Sequence, residues 1–253
     1  MNIIDIGANL TNSKFKNRDE LIHQCKQDGI GLILTGTSDK INQQSVDLAN
    51  KHNIYTTVGI HPHNANTFTQ STIPILKTLA LGNKSVIAIG ETGLDYNRML
   101  STKEEQIRSF KAHIELAIEL KLPLFLHERE AHEDFVNVLD SYASKHQLPK
   151  IVIHCFTGTE EEAKKYITRG AYLGFTGYLC MNNRGYDLRQ WFHKIPDNRI
   201  MIETDCPYMN PLEDGTTCIP QYVEHTLNKI SELKKKDMRD QILNNTKLFF
   251  NIE

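Results

Sequence analysis

The sequence lacks the features that mark membrane proteins, secreted proteins and disulfide-bonded proteins. No apolar run approaches the roughly 20 residues that a transmembrane helix needs. The N-terminal MNIIDIGANL has neither the basic segment nor the long apolar segment of a signal peptide. The cysteines are odd in number and never spaced as CxxC, which argues against a disulfide framework and a structural zinc site: Cys25, Cys155, Cys180, Cys206 and Cys218. We therefore expect a cytoplasmic protein with free thiols and no membrane partner.

An excess of one charge sign and an obvious aromatic platform are also missing. The 29 basic and 31 acidic residues give a net charge of −2, so no global positive field is available to hold nucleic acid. Trp191 is the lone tryptophan and offers no obvious stacking surface for a long single strand. A nucleic-acid partner would have to be held by a local basic patch or by a metal, over a short footprint.

What is present is an ordinary globular composition, with 40% hydrophobic and 24% charged residues. Short apolar segments alternate with helical segments eight times, from Asn2–Ile6 to Arg199–Ile202. Continuous apolar strands separated by helices are typical of parallel βαβ units. Eight even units without a glycine-rich dinucleotide fingerprint favour an α/β fold, a (β/α)8 TIM barrel, over a doubly wound sheet. We predict a single domain over residues 1–253 and take a monomer as the default.

Two helix starts are predicted from a hydroxyl residue placed three positions before a glutamate. Ser101 with Glu104 predicts a helix over about 102–120, and Thr159 with Glu162 predicts a helix that begins at Thr159. In this capping-box spacing the hydroxyl and the carboxylate each accept a hydrogen bond from the backbone N–H of the other residue. Both helices fall between predicted strands, as the alternation requires.

Ionisable side chains gather at the predicted carboxyl ends of the strands, where barrels carry their active sites. The fourth strand is predicted over residues 85–90, and Glu91 follows it directly. Alternation along each strand puts Glu91, His127, His154 and Asp205 on faces that can all point inward. One such group can arise by chance, whereas a group at nearly every strand end predicts a site.

Glu91, His127, His154 and Asp205 make a plausible site for a divalent metal. Imidazole together with carboxylate suits Zn, Mn or Fe, and Mg is possible where carboxylates and water dominate. Asp205 at the end of the eighth strand can hold the metal and also take a proton from water. The alternative is that each histidine merely satisfies a hydrogen bond in its own loop.

Four further residues are predicted to contact the substrate. Arg129 is a natural clamp for phosphate because its guanidinium is bidentate, with an ion pair to a neighbouring glutamate as the alternative. His61 is favoured over His63 for contact with substrate or metal, and simple turn structure is the alternative for both. Glu203 can orient a histidine or an arginine, or form a structural ion pair. Cys155 and Cys206 are interpreted as small packing residues.

Several segments in this order resemble the TatD family of metal-dependent deoxyribonucleases: IGETGLDYNR (89–98), LPLFLHEREAHEDF (122–135), IHCFTGTEEE (153–162) and IETDCPYMNP (202–211). The resemblance extends from Ile4 to Phe249. It implies a (β/α)8 barrel of the metallo-dependent hydrolase type, and metal ligands at Glu91, His127 and His154. Asp205 is implied as a ligand or as the catalytic base.

The chain departs from most of the family at its first strand. Where the family has an HxH pair, this sequence has Gly7 and Asn9, and neither is a good metal ligand. Three segments are similar to the subgroup that lacks the pair: DIGANLTNSKF (5–15), GIHPHNA (59–65) and GYLCMNNRG (177–185). That similarity implies a Mg-dependent 3′-5′ exonuclease acting on the 3′ ends of single-stranded DNA or RNA, with Mn or Zn as alternative ions.

Two other functions stay open at this point. The same ion could serve an aminoacyl-tRNA deacylase or a small-molecule amidohydrolase, since the fold does not determine the substrate. The absence of HxH and of a lysine at the end of the fourth strand argues against a binuclear amidase. A catalytically silent metal-binding scaffold is the second alternative. Product identity separates the first from a nuclease, and turnover that disappears with a chelator excludes the second.

Overall fold

Strands and helices alternate along the chain in the computed structural model, which describes residues 1–253. The strands are β1 (Ile3–Ala8), β2 (Ile30–Leu34), β3 (Tyr55–Val58), β4 (Val86–Asp95), β5 (Leu124–Arg129), β6 (Ile151–Ile153), β7 (Tyr172–Phe175) and β8 (Ile200–Ile202). The helices are α1 (Arg18–Gln27), α2 (Asp39–His52), α3 (Thr72–Gly82), α4 (Lys103–Leu120), α5 (His132–Ala143), α6 (Glu160–Thr168), α7 (Tyr186–Trp191), α8 (Val223–Lys234) and α9 (Arg239–Phe250).

The strands follow one another in the sheet in chain order, from β1 to β8. The pairs β1–β2, β3–β4, β4–β5, β5–β6 and β7–β8 are parallel. Just past the end of β8, Cys206 forms a parallel bridge with Ala8 of β1. The predicted (β/α)8 barrel is therefore confirmed. No helix in the chain is both long enough and apolar enough to cross a bilayer.

Contacts within the chain define two compact units. The terminal unit comprises Met1–Leu34 and His154–Glu253, and the central unit comprises Thr35–Ile153. In the central unit, the rings of Phe110 and Phe135 stack with centroids 5.0 Å apart. In the terminal unit, Phe175 and Phe192 meet edge to face at 4.9 Å. Burial of each such side chain contributes roughly 1.5–3 kcal/mol. The single-domain assignment stays a prediction.

The helix caps agree with one capping prediction and correct the other. Thr159 caps α6 and forms the predicted box with Glu162. The box of α4 lies one residue later than predicted, because Thr102 accepts from the Glu105 N–H and Glu105 accepts from the Thr102 N–H. The Ser101 hydroxyl is engaged elsewhere: it donates to the carbonyl of residue 63 and accepts from the N–H of residue 66.

Strand β4 is longer than predicted, running to Asp95 rather than ending at Gly90. All of its residues are buried, and its register against β5 shifts between Ile89 and Thr92. Gly90 (φ 142°) lies within that irregularity and Gly93 (φ 140°) directly follows it. A Cβ at Gly93 would overlap the His127 carbonyl oxygen, so only glycine allows the two backbones to approach here. Glu91 is thus positioned inside a strand rather than beyond its end.

Candidate metal centre

The central unit brings imidazoles and carboxylates from two strands and one turn together. We call these residues the histidine–carboxylate cluster: His61, His63, Glu91, Asp95 and His127. Glu91 and Asp95 lie on β4, and His127 lies on β5. His61 and His63 flank the proline that opens the 3₁₀ turn after β3. The His61 ring lies 4.3 Å from that of His63 and 4.7 Å from that of His127, measured between centroids.

Glu91 is at the centre of one half of the cluster. Its Oε1 lies 3.1 Å from His61 Nε2 and 3.0 Å from His127 Nδ1. The carboxylate is buried, while both imidazoles keep part of their surface exposed. Ligand atoms of these three residues all lie within 4.8 Å of one another. A carboxylate and an imidazole at this separation suit a divalent transition metal, so Glu91 and His127 fit a metal centre.

The hydrogen bonds of His61 favour a donor role for its Nε2. Its Nδ1 accepts from the His63 backbone N–H at 3.0 Å, so a neutral ring carries its proton on Nε2, which faces Glu91. Burial lowers the pKa of His61, and the negative charge of Glu91 only partly opposes that effect. A neutral ring in this tautomer presents an N–H, which suits an anionic oxygen better than a cation.

Asp95 joins the other half of the cluster and is the site residue that the sequence analysis missed. Its Oδ2 lies 2.8 Å from His63 Nε2 and 3.1 Å from His127 Nε2. Burial alone would raise the pKa of Asp95, but hydrogen bonds from His127, His63 and the Arg98 N–H together hold it well below its usual value. Asp95 therefore stays ionised and restrains both rings. Its spacing of four from Glu91 along one strand was the available signal.

In the terminal unit, His154 is oriented by a fully buried carboxylate. Glu203 Oε2 lies 3.3 Å from His154 Nδ1, and Glu203 Oε1 accepts from the Cys155 N–H at 2.6 Å. If Nδ1 donates to Glu203, the neutral ring has its lone pair on Nε2, the arrangement that a metal ligand requires. A Cβ at Gly174 would overlap Glu203, so that glycine makes room for the carboxylate. Glu203 has no exposed surface, which removes the support for its predicted substrate contact.

Asp205 is held by the two residues that stand in place of the HxH pair. Its backbone N–H donates to the Gly7 carbonyl at 2.9 Å, and its Oδ1 accepts from the Asn9 side-chain amide at 2.9 Å. The simple alternation used to predict its direction does not apply, because β8 ends at Ile202 and Asp205 has a φ of 52°. The Asn9 amide therefore presents a donor to Asp205.

A second carboxylate of the terminal unit, Asp5, links β1 to the segment after β8. It accepts from the Gly7 N–H, the Thr204 N–H and the Thr204 hydroxyl at 3.1, 2.9 and 2.5 Å. Complete burial raises the pKa of Asp5 to about 7, an effect that the charge of Glu203 reinforces and these hydrogen bonds oppose. Thr204 immediately precedes Asp205, so Asp5 restrains the backbone that carries it.

The remaining predicted residues separate into exposed and buried groups. Arg129 is exposed at the end of β5, where its charge is accessible to an anion. Glu128, the neighbour considered as its ion-pair partner, accepts from the Ala131 N–H at 2.8 Å. Burial raises the pKa of the Cys206 thiol well above its usual value, which argues against a thiolate nucleophile. The cysteines are unpaired.

Comparison with known proteins identifies the family. Residues 4–251 match the TatD related DNase family. The chain belongs to this family. A protein of Erwinia billingiae named 3′-5′ ssDNA/RNA exonuclease TatD is 44% identical over 244 residues, covering 93% of this chain and 92% of its relative. The protein of the same name from Escherichia coli K12 is 39% identical over 243 residues, with the same coverage.

Solved structures of TatD proteins have the same fold as this TatD family member. The Escherichia coli K12 TatD homologue YJJV superposes with a TM-score of 0.90 at 23% identity, covering 100% of this chain and 99% of that one. A TatD family hydrolase of Entamoeba histolytica gives 0.87 at 25% identity, covering 98% and 97%. The sequence-based assignment to the TatD family and to its barrel is thus confirmed.

Proposed function

We propose that this chain is a metal-dependent 3′-5′ exonuclease that hydrolyses phosphodiester bonds in single-stranded DNA and RNA. The observation that carries the proposal is that ligand atoms of His61, Glu91 and His127 all lie within 4.8 Å of one another, in a chain of the TatD family. The names of relatives at about 40% identity support the substrate and the direction of digestion.

Glu91 and His127 of the histidine–carboxylate cluster would hold a divalent cation. When bound, such an ion polarises a phosphoryl oxygen and makes water more acidic. Mg is the proposed ion, held weakly, because imidazole is softer than the oxygen ligands Mg prefers. Mn or Zn would bind more tightly. His154 and Asp205 remain proposed as ligands, supported within their own unit by the Glu203 contact and the Asn9 hydrogen bond.

Each remaining residue has a role that follows from its contacts. His61 donates through Nε2 to a phosphate oxygen, and the exposed guanidinium of Arg129 binds the same anion. Asp205 accepts the proton that water loses during attack. Asp95 and Glu203 do not touch substrate: they hold the rings of His127 and His154 in one orientation. His63 restrains Asp95 from its other side, and we replace its predicted substrate contact with this role.

The test is digestion of single-stranded oligonucleotides labelled at either end, with Mg, Mn, Zn or EDTA. We expect stepwise loss of 3′ nucleotides as 5′-monophosphates, abolished by EDTA and by Glu91→Gln or His154→Ala. Glu133→Gln is the matched control, since Glu133 is an exposed carboxylate of α5. Undiminished digestion by both site variants would refute the proposal. So would release of carboxylic acids from ester or amide substrates without nucleotide release.

Two further properties complete the proposal. The unpaired cysteines support a reducing, cytoplasmic location. The protein acts as a monomer, a statement that sedimentation at several concentrations tests directly.

A further inference from the structure

A cleft of about 350 Å³ opens in the terminal unit, and neither Glu203 nor Asp205 lines it. Its walls come from the loop after β6, the 3₁₀ turn after β7, and α7. The side chains used below are Thr157, Tyr178, Arg184, Asp187 and Trp191. The volume lies at the lower end of the range for small-molecule sites. Nothing in the proposed chemistry uses these residues.

Specific contacts hold the segments that form the walls of the cleft in place. The Arg189 guanidinium donates to the carbonyls of Leu179 and Met181, both at 2.8 Å, which ties α7 to the turn after β7. The Thr176 hydroxyl accepts from the Tyr178 N–H at 3.2 Å. Trp191 meets the buried Phe156 ring edge to face, with centroids 6.4 Å apart. The cleft is therefore largely formed before any ligand binds.

The charges that line the cleft disfavour a free anion. The α6 N-terminus is capped by Thr159 and Glu162, so the N–H groups of these two residues already have acceptors. Asp187 is an exposed acceptor and Arg184 an exposed cation, and both line the same space. Glu160, also in the lining, is matched by Lys164 at 2.7 Å and Lys194 at 2.8 Å. Trp191 and Tyr178 offer aromatic faces, and Arg184 is the one cation in the lining. An occupant that matches the cleft combines a flat apolar body, a hydrogen-bond donor for Asp187 and one negative group for Arg184.

A nucleotide has all three of these features. We propose that this cleft binds one nucleotide of a single-stranded substrate, with its base against Trp191 and Tyr178 and its phosphate near Arg184. Asp187 accepts a hydrogen bond from an exocyclic amino group, as carboxylates do from cytosine, so cytosine is favoured over thymine. The proposal rests on the proposed nuclease function. Thr157 lies three residues after His154, which places this subsite on the same loop as a proposed ligand.

The fluorescence of Trp191, the lone tryptophan, reports directly on binding in the cleft. The wild-type chain has Trp191 as its only indole. We titrate it in EDTA with dCMP, dTMP, deoxyribose 5-phosphate and inorganic phosphate, and follow the fluorescence of Trp191. We expect saturable quenching by dCMP, weaker quenching by dTMP, and no change with the two compounds that lack a base. No saturable change with either nucleotide overturns the proposal, and so does equal quenching by inorganic phosphate.

Variants distinguish stacking of the base on Trp191 from attraction of the phosphate to Arg184. Binding of a fluorescein-labelled trinucleotide, followed by anisotropy in EDTA, should weaken by roughly five- to 150-fold in Trp191→Ala, the range for one stacked base. Trp191→Phe should recover part of that loss, which shows that an aromatic face and not the fold is at issue. Arg184→Gln should weaken binding of the trinucleotide. Lys165→Gln removes one exposed positive charge from α6 and should leave binding unchanged.

The outcomes distinguish this subsite from the nuclease proposal. If the wild type digests oligonucleotides but Trp191→Ala binds them normally, the subsite is refuted and the nuclease function stands. If dCMP quenches Trp191 but no metal supports digestion, the subsite stands and the nuclease function is refuted. Equal loss of binding in Trp191→Ala and Trp191→Phe, with both variants folded by circular dichroism, also overturns the stacking assignment.

Discussion

Asp5 is a buried carboxylate whose titration should be visible in the stability of the protein. It has no exposed surface, and burial raises its pKa from 3.8 to about 7. Because the folded state binds the proton more tightly than the unfolded state, ionisation of Asp5 destabilises the fold. This contribution is fully present below the unfolded-state pKa and is lost as pH rises through about 7.

The magnitude follows from the size of the shift. A difference of roughly three pKa units corresponds to about 4 kcal/mol in total. Between about pH 5 and pH 8, roughly 2–3 kcal/mol of this should be lost from the free energy of unfolding. The replacement Asp5→Asn keeps the one side-chain oxygen that accepts from both the Gly7 and Thr204 N–H groups but cannot ionise. The variant should therefore lack this part of the pH dependence.

The assay is urea unfolding at several pH values, followed by Trp191 fluorescence. The difference in unfolding free energy between wild type and Asp5→Asn should change by about 2–3 kcal/mol across the window, in favour of the variant at high pH. Asp39→Asn, at an exposed position at the start of α2, is the control and should follow the wild type. A pH dependence in Asp5→Asn as steep as in the wild type would refute the reasoning.

Three other predictions concern Asp95 and Gly93 of the central unit and Asn9 of the terminal unit. Asp95→Asn should weaken metal binding roughly 10- to 100-fold, because the His127 ring loses its charged partner; unchanged affinity by calorimetry would contradict this. Gly93→Ala should destabilise the fold by more than about 2 kcal/mol, since its Cβ would overlap the His127 carbonyl, whereas Gly82→Ala at an open helical position should be neutral or slightly stabilising in the same urea assay. Asn9→Ala should lower the rate of oligonucleotide digestion roughly tenfold or more, since Asp205 loses a hydrogen bond; a rate equal to the wild type would show that Asn9 does not position Asp205.

The strands and helices could be predicted from the sequence because the patterns that indicate them involve neighbouring residues. Continuous apolar runs such as the one in β2, and capping pairs such as Thr159 with Glu162, involve residues close in sequence. The same locality explains the errors. Serine and threonine adjoin at positions 101 and 102, so spacing alone could not decide which hydroxyl caps α4. The end of β4 was misjudged because its irregular register depends on close approach to β5.

The sequence by itself determined the strand–helix alternation, the family, and most of the ionisable residues that lie near strand ends. Only the tertiary structure decided how those residues act on one another. Asn9 and Asp205 are 196 residues apart in the chain, and His127 of β5 contacts Asp95 of the neighbouring strand β4. The tautomer of His61 depends on one backbone N–H. Hydrogen bonds at about 3 Å depend on side-chain direction, and that direction is settled when distant segments pack together.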